Sequence, residues 1–225
     1  MYTWGNLRFQ YIMIISILNQ KGGVGKTTIS INLAAALSLM DHRVLLIDAD
    51  PQASSLDWAA KRKADTLFTT IGINKAIIHK EINSFIKNYD YIIIDGPPRI
   101  YDVARSAIAA SDLVLIPVQP SPYDVWAAAE VVDLINEVSV PLSEIKSIKK
   151  AFLINRRIKN TAIGRDVTES LSSYGVDVLK TSIHSRIAFA ESASEGLSVC
   201  ETNTNAQAAL EINNLAKEII NKYDK

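Results

Sequence analysis

Five short and almost uninterrupted runs of Val, Ile and Leu divide this chain of 225 residues, and they constrain its fold more than any other feature. The runs span residues 12–18, 43–48, 91–95, 113–117 and 151–155. The longer amphipathic stretches between them predict helices at residues 27–40, 75–87, 103–110, 122–138, 161–174 and 205–223, with shorter ones at 54–63 and 189–196. Strands this apolar are typical of a sheet that is covered on both faces. The alternation therefore predicts an α/β fold, a mostly parallel sheet with helices on both faces.

The sequence predicts one domain. No linker, repeat or low-complexity segment interrupts residues 12–225, which we expect to form a single unit. We expect residues 1–11 to be a dispensable N-terminal extension, since they carry no clear signal-peptide cleavage site and Met13 stands at the beginning of the first predicted strand.

Charge and cysteine content narrow the class of protein. The 24 Lys and Arg residues balance the 24 Asp and Glu residues, so DNA or a membrane would have to be met by a local patch. The single cysteine, Cys200, excludes a disulfide framework and a four-cysteine iron–sulfur cluster within one chain. A reduced, cytoplasmic protein is expected.

Three polar motifs follow three of the predicted strands at their carboxyl ends. They are a glycine-rich turn at residues 19–28, the sequence Asp48-Ala-Asp50, and the sequence Asp95-Gly-Pro-Pro. Open α/β sheets bind their ligands at this edge. The convergence of the motifs predicts a nucleotide site.

The turn reads Asn19-Gln-Lys-Gly-Gly-Val-Gly-Lys-Thr-Thr28 and joins a buried strand to an amphipathic helix. Glycines let the backbone N–H groups approach phosphate oxygens, and the following helix adds the positive end of its dipole. Lys26 is expected to contact the β- and γ-phosphates, and the Thr27 hydroxyl to ligate Mg²⁺. The expected nucleotide contacts are Lys21, Gly22, Gly23, Val24, Gly25, Lys26, Thr27 and Thr28.

One departure from the ordinary P-loop is informative. Gln20 stands where the first glycine would be, and Lys21 directly precedes the glycine pair. Here the sequence resembles the deviant Walker A ATPases of the ParA/MinD type, which have a P-loop NTPase-type fold. The resemblance implies that Lys21 reaches the nucleotide of a partner subunit in an ATP-sandwich homodimer, while Lys26 acts within its own subunit. Action of Lys21 within its own subunit is the alternative.

Three aspartates fit the same resemblance. The run that ends at Asp95 resembles a Walker B strand, with Asp95 holding Mg²⁺, and Asp48-Ala-Asp-Pro-Gln52 resembles a second aspartate motif. In that motif Asp50 would orient the attacking water and Asp48 would lie closer to the metal. The alternative for each aspartate is a residue that ends a strand or caps a helix.

The cysteine content and the C-terminal segment bear on which branch of the family the chain resembles. The iron–sulfur members need cysteines that are absent here. The septum-site branch ends in a basic membrane-binding helix, whereas residues 208–225 lack Phe and Trp and intersperse acids. An apolar stripe of Leu210, Leu215, Ile219 and Ile220 favours a helix docked on the core, and no membrane partner.

The segments 50–54, 96–98 and 117–122 resemble partition ATPases of the short, ParF-like type. The resemblance implies an ATPase that uses ATP and Mg²⁺, binds non-specific DNA as a dimer on the nucleoid, and is reset by a centromere-binding partner of the ParB or ParG kind. Asn155 matches a position that contacts adenine in relatives, whereas His184 stands where relatives often carry proline.

Basic residues between positions 145 and 165 are the candidate DNA surface, and a solvated loop is the alternative. The residues selected are Lys149, Lys150, Arg156, Arg157 and Lys159. Two other functions stay open: an ATPase of this family that positions a protein cargo, such as a chemoreceptor array or a microcompartment, and a membrane-associated division-site regulator.

Overall fold

The computed structural model describes residues 12–98, 101–158, 163–202 and 206–224. Residues 1–11, which we predict to be a dispensable extension, lie outside the described residues, as does Lys159. The strands are β1 (Met13–Ile17), β2 (Val44–Asp48), β3 (Thr69–Gly72), β4 (Tyr91–Asp95), β5 (Leu113–Val118), β6 (Lys149–Arg157) and β7 (Asp177–His184). The helices are α1 (Lys26–Ser38), α2 (Ser54–Lys61), α3 (Ile78–Glu81), α4 (Tyr101–Ala110), α5 (Pro122–Leu142), α6 (Ile163–Ser172), α7 (Ala188–Ser194) and α8 (Ala206–Tyr223).

The described strands form one seven-stranded sheet in the order β3-β2-β4-β1-β5-β6-β7. All the pairings in it are parallel, which confirms the predicted α/β class. The strand β1 lies between β4 and β5, so the chain moves from the middle of the sheet to both edges. The carboxyl ends of β1, β2 and β4, which carry the three polar motifs, therefore lie side by side.

Helices cover both faces of the sheet, as predicted. Side chains of α1 and α8, among them Leu33 and Ile212, pack on one face in a single buried cluster with Ile15. Helices α4, α5 and α6 cover the other face, where Ile108 and Val131 are buried against β5 and β6. The sheet is thus covered on both sides, which explains why its central strands are almost continuously apolar.

The five predicted strands are confirmed within two residues at each end. The two edge strands, β3 and β7, were missed by the sequence pattern. Strand β3 is short and buries none of its residues, and β7 buries only Leu179 and Ile183. An edge strand has one neighbour and a partly solvated surface, so it does not require a continuous apolar run.

The helix predicted over residues 75–87 is wrong in extent. The structure has only the four-residue α3 there, followed by a short 3₁₀ turn at Ile82–Ser84. Ile78 and Ile82 are its buried side chains, and two anchors do not give a long helix an apolar face to bury.

The C-terminal helix α8 docks on the core. Leu215 and Ile219 are buried and Ile220 packs against the same cluster, as predicted. Leu210 is half exposed instead, because the buried face begins at Ala208 and continues through Ile212.

Candidate nucleotide site

The turn between β1 and α1 is shaped by two glycines with left-handed backbone angles. Gly23 has a φ of 75° and Gly25 a φ of 96°, a region that side-chain-bearing residues rarely adopt. Gly25 is the residue before α1, and no side chain caps the first turn of that helix. The N–H groups at the start of α1 are therefore available to an anion.

A side chain of β6 and one from the residue after β5 hold the turn in place. The Asn155 amide Nδ2 at the end of β6 donates a hydrogen bond to the Val24 carbonyl at 2.7 Å, and the Gln119 amide Nε2 donates to the Gly23 carbonyl at 3.1 Å. A Cβ on Gly25 would lie 2.3 Å from Asn155 Nδ2, so the close approach itself requires glycine. Sequence reasoning singled out the segment 117–122, which contains Gln119, but did not predict this contact with the turn.

Lys26 is buried at the start of α1 and its ammonium points back into the turn. Its Nζ donates to the Lys21 carbonyl at 3.3 Å. Burial lowers the pKa of Lys26, while the charges of Asp95 and Asp50 oppose that shift. A cation that is held beside the turn, with both carboxylates near enough to act on it, suits a phosphate chain.

Asp95 is fully buried at the end of β4. Its carboxylate accepts hydrogen bonds from the hydroxyls of Ser30 at 3.2 Å and Ser55 at 2.9 Å. Burial raises the pKa of Asp95 to about 6, and the charge of Asp48 adds to the shift, whereas hydrogen bonds from the serine hydroxyls and from Thr27 oppose it. A cation bound next to this carboxylate would therefore stabilise its charged form.

Asp48 is also buried, and its carboxylate serves the backbone. It accepts from the N–H groups of Ser55 at 2.8 Å, Leu56 at 3.0 Å and Asp50 at 3.1 Å. Burial raises the pKa of Asp48, and those backbone hydrogen bonds oppose the shift. Asp48 therefore organises the start of α2 beside Asp95, while Asp50 is only partly buried and accepts from the Gln52 N–H at 3.0 Å.

These residues fit ATP with Mg²⁺. The uncapped helix start, the left-handed glycines and Lys26 are complementary to phosphates. The hydrogen-bonded pair of Thr27 hydroxyl and Asp95 carboxylate supplies the hard oxygens that Mg²⁺ prefers, in a site where positive charge would be stabilising. Few protein ligands are needed, because Mg²⁺ in such sites keeps waters and phosphate oxygens.

Asp95→Asn should stabilise the nucleotide-free protein while removing Mg²⁺-dependent ATP hydrolysis. A pKa raised from 3.8 to about 6 disfavours the charged carboxylate by about 3 kcal/mol above pH 6. The parent therefore loses folding stability as the pH rises from about 4 through 6. The stability of the variant relative to the parent should be greatest near pH 8, and the difference should vanish near pH 4. Urea unfolding at both pH values measures it. A variant that is less stable than the parent near pH 8 would contradict the prediction.

Lys21 pairs with a residue of its own chain. Its Nζ lies 2.7 Å from Asp124 Oδ2 in the first turn of α5. The Lys21 side chain is 42% exposed, whereas that of Asp124 is 2% exposed and its Oδ1 has no hydrogen-bond partner in the described structure. Sequence reasoning missed Asp124, which is 103 residues away.

Four of the five basic residues proposed for DNA are described, and they lie at the two ends of β6. Lys149 and Lys150 begin β6, and Lys150 Nζ hydrogen-bonds Asn136 Oδ1. Arg156 and Arg157 end the strand, about 26 Å away at 3.3 Å per residue, on the edge that carries the nucleotide site. The lysine pair and the arginine pair therefore stay separate candidates for the DNA surface.

A parallel sheet with this turn at its carboxyl edge defines a P-loop nucleotide-binding protein. The family model described as CbiA, the CobQ/CobB/MinD/ParA nucleotide binding domain, matches residues 15–199. The chain belongs to this family, and it is an ATPase of the ParA/MinD type.

Two curated relatives cover nearly the whole chain. "Maintenance of carboxysome distribution protein A" of Halothiobacillus neapolitanus is 32% identical over 92% of this chain and 95% of its own length. "Sporulation initiation inhibitor protein Soj" of Bacillus subtilis is 30% identical over 92% and 97%.

Solved structures show the same fold. Apo McdA of Cyanothece has a TM-score of 0.79 at 17% identity, covering 93% of this chain and 100% of that one. A candidate plasmid partition protein of Borrelia burgdorferi bound to AMPPNP has a TM-score of 0.76 at 23% identity, covering 94% and 100%. MinD of Pyrococcus horikoshii with Mg-ADP has a TM-score of 0.70 at 20% identity, covering 93% and 96%. ATP and Mg²⁺, the predicted cofactors, agree with the ligands of the last two.

Among the described residues, no helix has the length and apolarity needed to cross a bilayer.

Proposed function

We propose that this protein is a DNA partition ATPase: two copies close around two ATP molecules, the dimer binds DNA without sequence preference, and hydrolysis resets it. The observation that carries the proposal is the different burial of two lysines in the same turn. Lys26 is buried beside the phosphate cradle, whereas Lys21 stands at its rim with 42% of its side chain exposed. A lysine in that place is suited to an anion that arrives from outside the subunit.

The chemistry within one subunit is positioning and charge stabilisation. Backbone N–H groups of residues 22–27 and the Lys26 ammonium would bind the phosphates. Thr27 and Asp95 would hold Mg²⁺, and Asp48 would support them through the start of α2. When bound, Mg²⁺ neutralises charge on the phosphate oxygens. Asp50, which is partly exposed at the same edge, would orient the attacking water.

The partner copy would approach at the rim where Lys21 lies. Two exposed aromatic side chains flank Asp124 there: Tyr123 is 71% and Trp126 is 63% exposed, and their rings meet edge to face at 5.4 Å. Aromatic residues are enriched in interfaces, so this pair supports a docking face continuous with Lys21. Trp126 is also a built-in fluorescent reporter of dimer formation.

The proposed DNA contacts are Arg156 and Arg157, with Lys159 added from the sequence. Arg156 is exposed and has a left-handed φ of 54°, and the Arg157 guanidinium donates to Ser182 Oγ at 3.2 Å. They lie on the same sheet edge as the nucleotide, so dimerisation would bring two such sets together. A cytoplasmic, nucleoid-associated location and a ParB- or ParG-like partner belong to the same proposal.

A second candidate function is the positioning of a protein cargo. It is favoured by the 32% identity with the carboxysome distribution protein, the higher of the two relatives' identities. The ATPase mechanism would be the same and the partner would differ. Stimulation of hydrolysis by a small DNA-binding protein encoded beside this chain would favour partition, and stimulation by a cargo protein would favour positioning.

Asp50→Ala should keep ATP binding and dimerisation but reduce turnover by about a hundredfold or more, since it removes the water-orienting carboxylate and leaves the cradle intact. Phosphate release and light scattering measure the two properties. Asp57→Ala, which removes an exposed carboxylate from α2, is the control. Turnover at the parent rate in Asp50→Ala would make Asp50 a structural residue.

Duplex binding should require ATP and weaken linearly in a log–log plot against salt. Arg156→Ala/Arg157→Ala should flatten that slope by up to about two, because each lost phosphate contact removes roughly one released counterion. The matched control is Lys149→Ala/Lys150→Ala, which removes equal charge from the other end of the same strand. Equal slopes for both double variants would move the DNA surface elsewhere.

A further inference from the structure

Ser55, in the first turn of α2, is a buried residue that hydrogen-bonds both buried aspartates of the site. Its N–H donates to Asp48 Oδ2 at 2.8 Å, and its hydroxyl donates to Asp95 Oδ2 at 2.9 Å. The two aspartates end neighbouring strands and stand opposite each other in the register of β2 and β4. Ser55 therefore joins two carboxylates that the fold places side by side.

The two oxygens of the Asp95 carboxylate are held differently. Oδ2 accepts the Ser55 hydroxyl, whereas Oδ1 accepts the Ser30 hydroxyl at 3.2 Å. The Ser30 hydroxyl also donates to the Lys26 carbonyl at 3.0 Å, and a single proton cannot serve both acceptors fully. Within the described structure the Ser55 hydroxyl has Asp95 as its acceptor and its bond is the shorter one. Oδ1 is therefore the oxygen that is more available to a cation.

The same serine fixes the position of the loop that carries Asp50. The Asp48 carboxylate accepts the N–H groups of Asp50 at 3.1 Å and of Ser55 at 2.8 Å, so both ends of the loop are attached to it. Between them, Ala53 has a left-handed φ of 55° and donates its N–H to the Asp50 carbonyl at 2.9 Å, which closes a turn. In the described part of the chain, the Ser55 hydroxyl is the group that joins this loop to the Asp95 carboxylate.

We propose that Ser55 is a positioning residue for Mg²⁺: its hydroxyl fixes Oδ2 of Asp95 and leaves Oδ1 to the metal. Ser55 would not contact the cation itself, because its proton is committed to Asp95. Carboxylates that ligate metals are themselves oriented by hydrogen bonds, and loss of such an outer partner typically lowers metal affinity by about 10- to 100-fold. The inference rests on the proposed binding of Mg²⁺ by Thr27 and Asp95.

The hydroxyl can be tested apart from the backbone of the same residue. Ser55→Ala removes the bond to Asp95 but retains the N–H that donates to Asp48, so the start of α2 keeps its attachment. The phosphate turn is held by Asn155 and Gln119, whose hydrogen bonds do not depend on Ser55. We therefore expect a defect in the use of Mg²⁺ and not in the binding of phosphates.

The test is calorimetric titration with AMPPNP at about pH 8, where carboxyl groups are generally ionised, once with excess Mg²⁺ and once with EDTA. The ratio of the two affinities measures what the metal adds to nucleotide binding, and it does not depend on turnover. In Ser55→Ala this ratio should fall about tenfold, while the affinity in EDTA stays within about twofold of the parent. The free Mg²⁺ concentration for half-maximal ATP hydrolysis should rise by a similar factor, and excess Mg²⁺ should restore turnover.

Ser54→Ala is the matched control. Ser54 precedes Ser55 in the same helical turn but is exposed, so its variant loses the same group and should have the ratio of the parent. Ser30→Ala should lower the ratio less than Ser55→Ala does, because the Ser30 proton is divided between two acceptors. Ser55→Cys keeps a side chain of similar size with a weaker donor, so it should also lower the ratio and covers the case in which Ser55→Ala does not fold.

The outcomes separate this inference from the metal site on which it rests. An unchanged ratio in folded Ser55→Ala, or a fall no larger than that in Ser30→Ala, would overturn the positioning role while Mg²⁺ binding by Asp95 stands. Equal losses of affinity in Mg²⁺ and in EDTA would indicate a structural role alone and would overturn it as well. A ratio close to one in the parent would overturn the proposed metal site together with the inference.

Discussion

Lys26→Ala is expected to weaken ATP binding by about a hundredfold. Lys26 is the cation buried beside the turn, and its Nζ is held 3.3 Å from the Lys21 carbonyl. A charge-assisted hydrogen bond in a partly dry site contributes about 3 kcal/mol, and each 1.4 kcal/mol is tenfold in affinity. Calorimetric titration with ATP and Mg²⁺ measures the loss.

The control for Lys26→Ala is Lys222→Ala. Lys222 pairs with Asp177 at the start of β7, at the amino edge of the sheet, so the variant removes an equal charge far from the turn. It should bind ATP as the parent does. Unchanged affinity in a folded Lys26→Ala would contradict the phosphate role of the turn.

The centre of the fold could be predicted because buried central strands have nearly continuous apolar sequences. β1 and β4 are buried along their whole length, so nearly every position is apolar, with Ser16 the exception inside β1 and Asp95 at the end of β4. The edge strands β3 and β7 are partly exposed to water, so their sequences contain no continuous apolar run. Their existence follows from the sheet, since an adjacent strand supplies the partners for their backbone groups.

The site was predictable where its residues follow one another and was not where they come from distant segments. The turn and the aspartates at strand ends are local patterns, whereas Ser55 gains its position only through two hydrogen bonds: its N–H donates to Asp48 and its hydroxyl to Asp95. Serine at the start of a helix is ordinary, so no local signal separates it from others. The same holds for Asp124, which contacts Lys21 from 103 residues away.

The basic residues of β6 show that proximity in sequence does not imply proximity in space. Lys149 and Arg157 belong to one strand, and an extended strand separates its ends by the greatest distance that a chain allows. Charge runs identify a surface only when the element that carries them is known to be a helix face or a compact loop.

Lys21→Ala should prevent the ATP-dependent dimer while leaving ATP binding by the monomer within a few-fold of the parent. Two triphosphates that face each other across an interface repel strongly unless cations lie between them, and Lys21 is the lysine at the rim. DNA binding should fail with the dimer, because a weak patch becomes effective only when doubled. Light scattering with ATP and Mg²⁺ measures the mass, with Asp50→Ala as a control that should dimerise without turnover.

The same substitution has a structural cost that must be separated from the loss of the dimer. Lys21 is the ion-pair partner of Asp124, whose carboxylate is almost fully buried and has one oxygen without a partner. Leaving a buried carboxylate uncompensated should lower the free energy of unfolding by roughly 2 kcal/mol, less than for a fully buried pair because Lys21 is partly exposed.

The double variant Lys21→Ala/Asp124→Asn separates the two effects. It removes the buried Asp124 carboxylate charge together with the lysine. Its free energy of unfolding should therefore return close to that of the parent. Dimer formation should still fail, since the cation that serves the partner's nucleotide is missing. Asp124→Asn alone keeps Lys21 and releases it from its own subunit, so it should dimerise at a lower ATP concentration than the parent does. A stable ATP-dependent dimer of the double variant would show that Lys21 acts only within its own chain, and the partner-directed lysine would have to be abandoned.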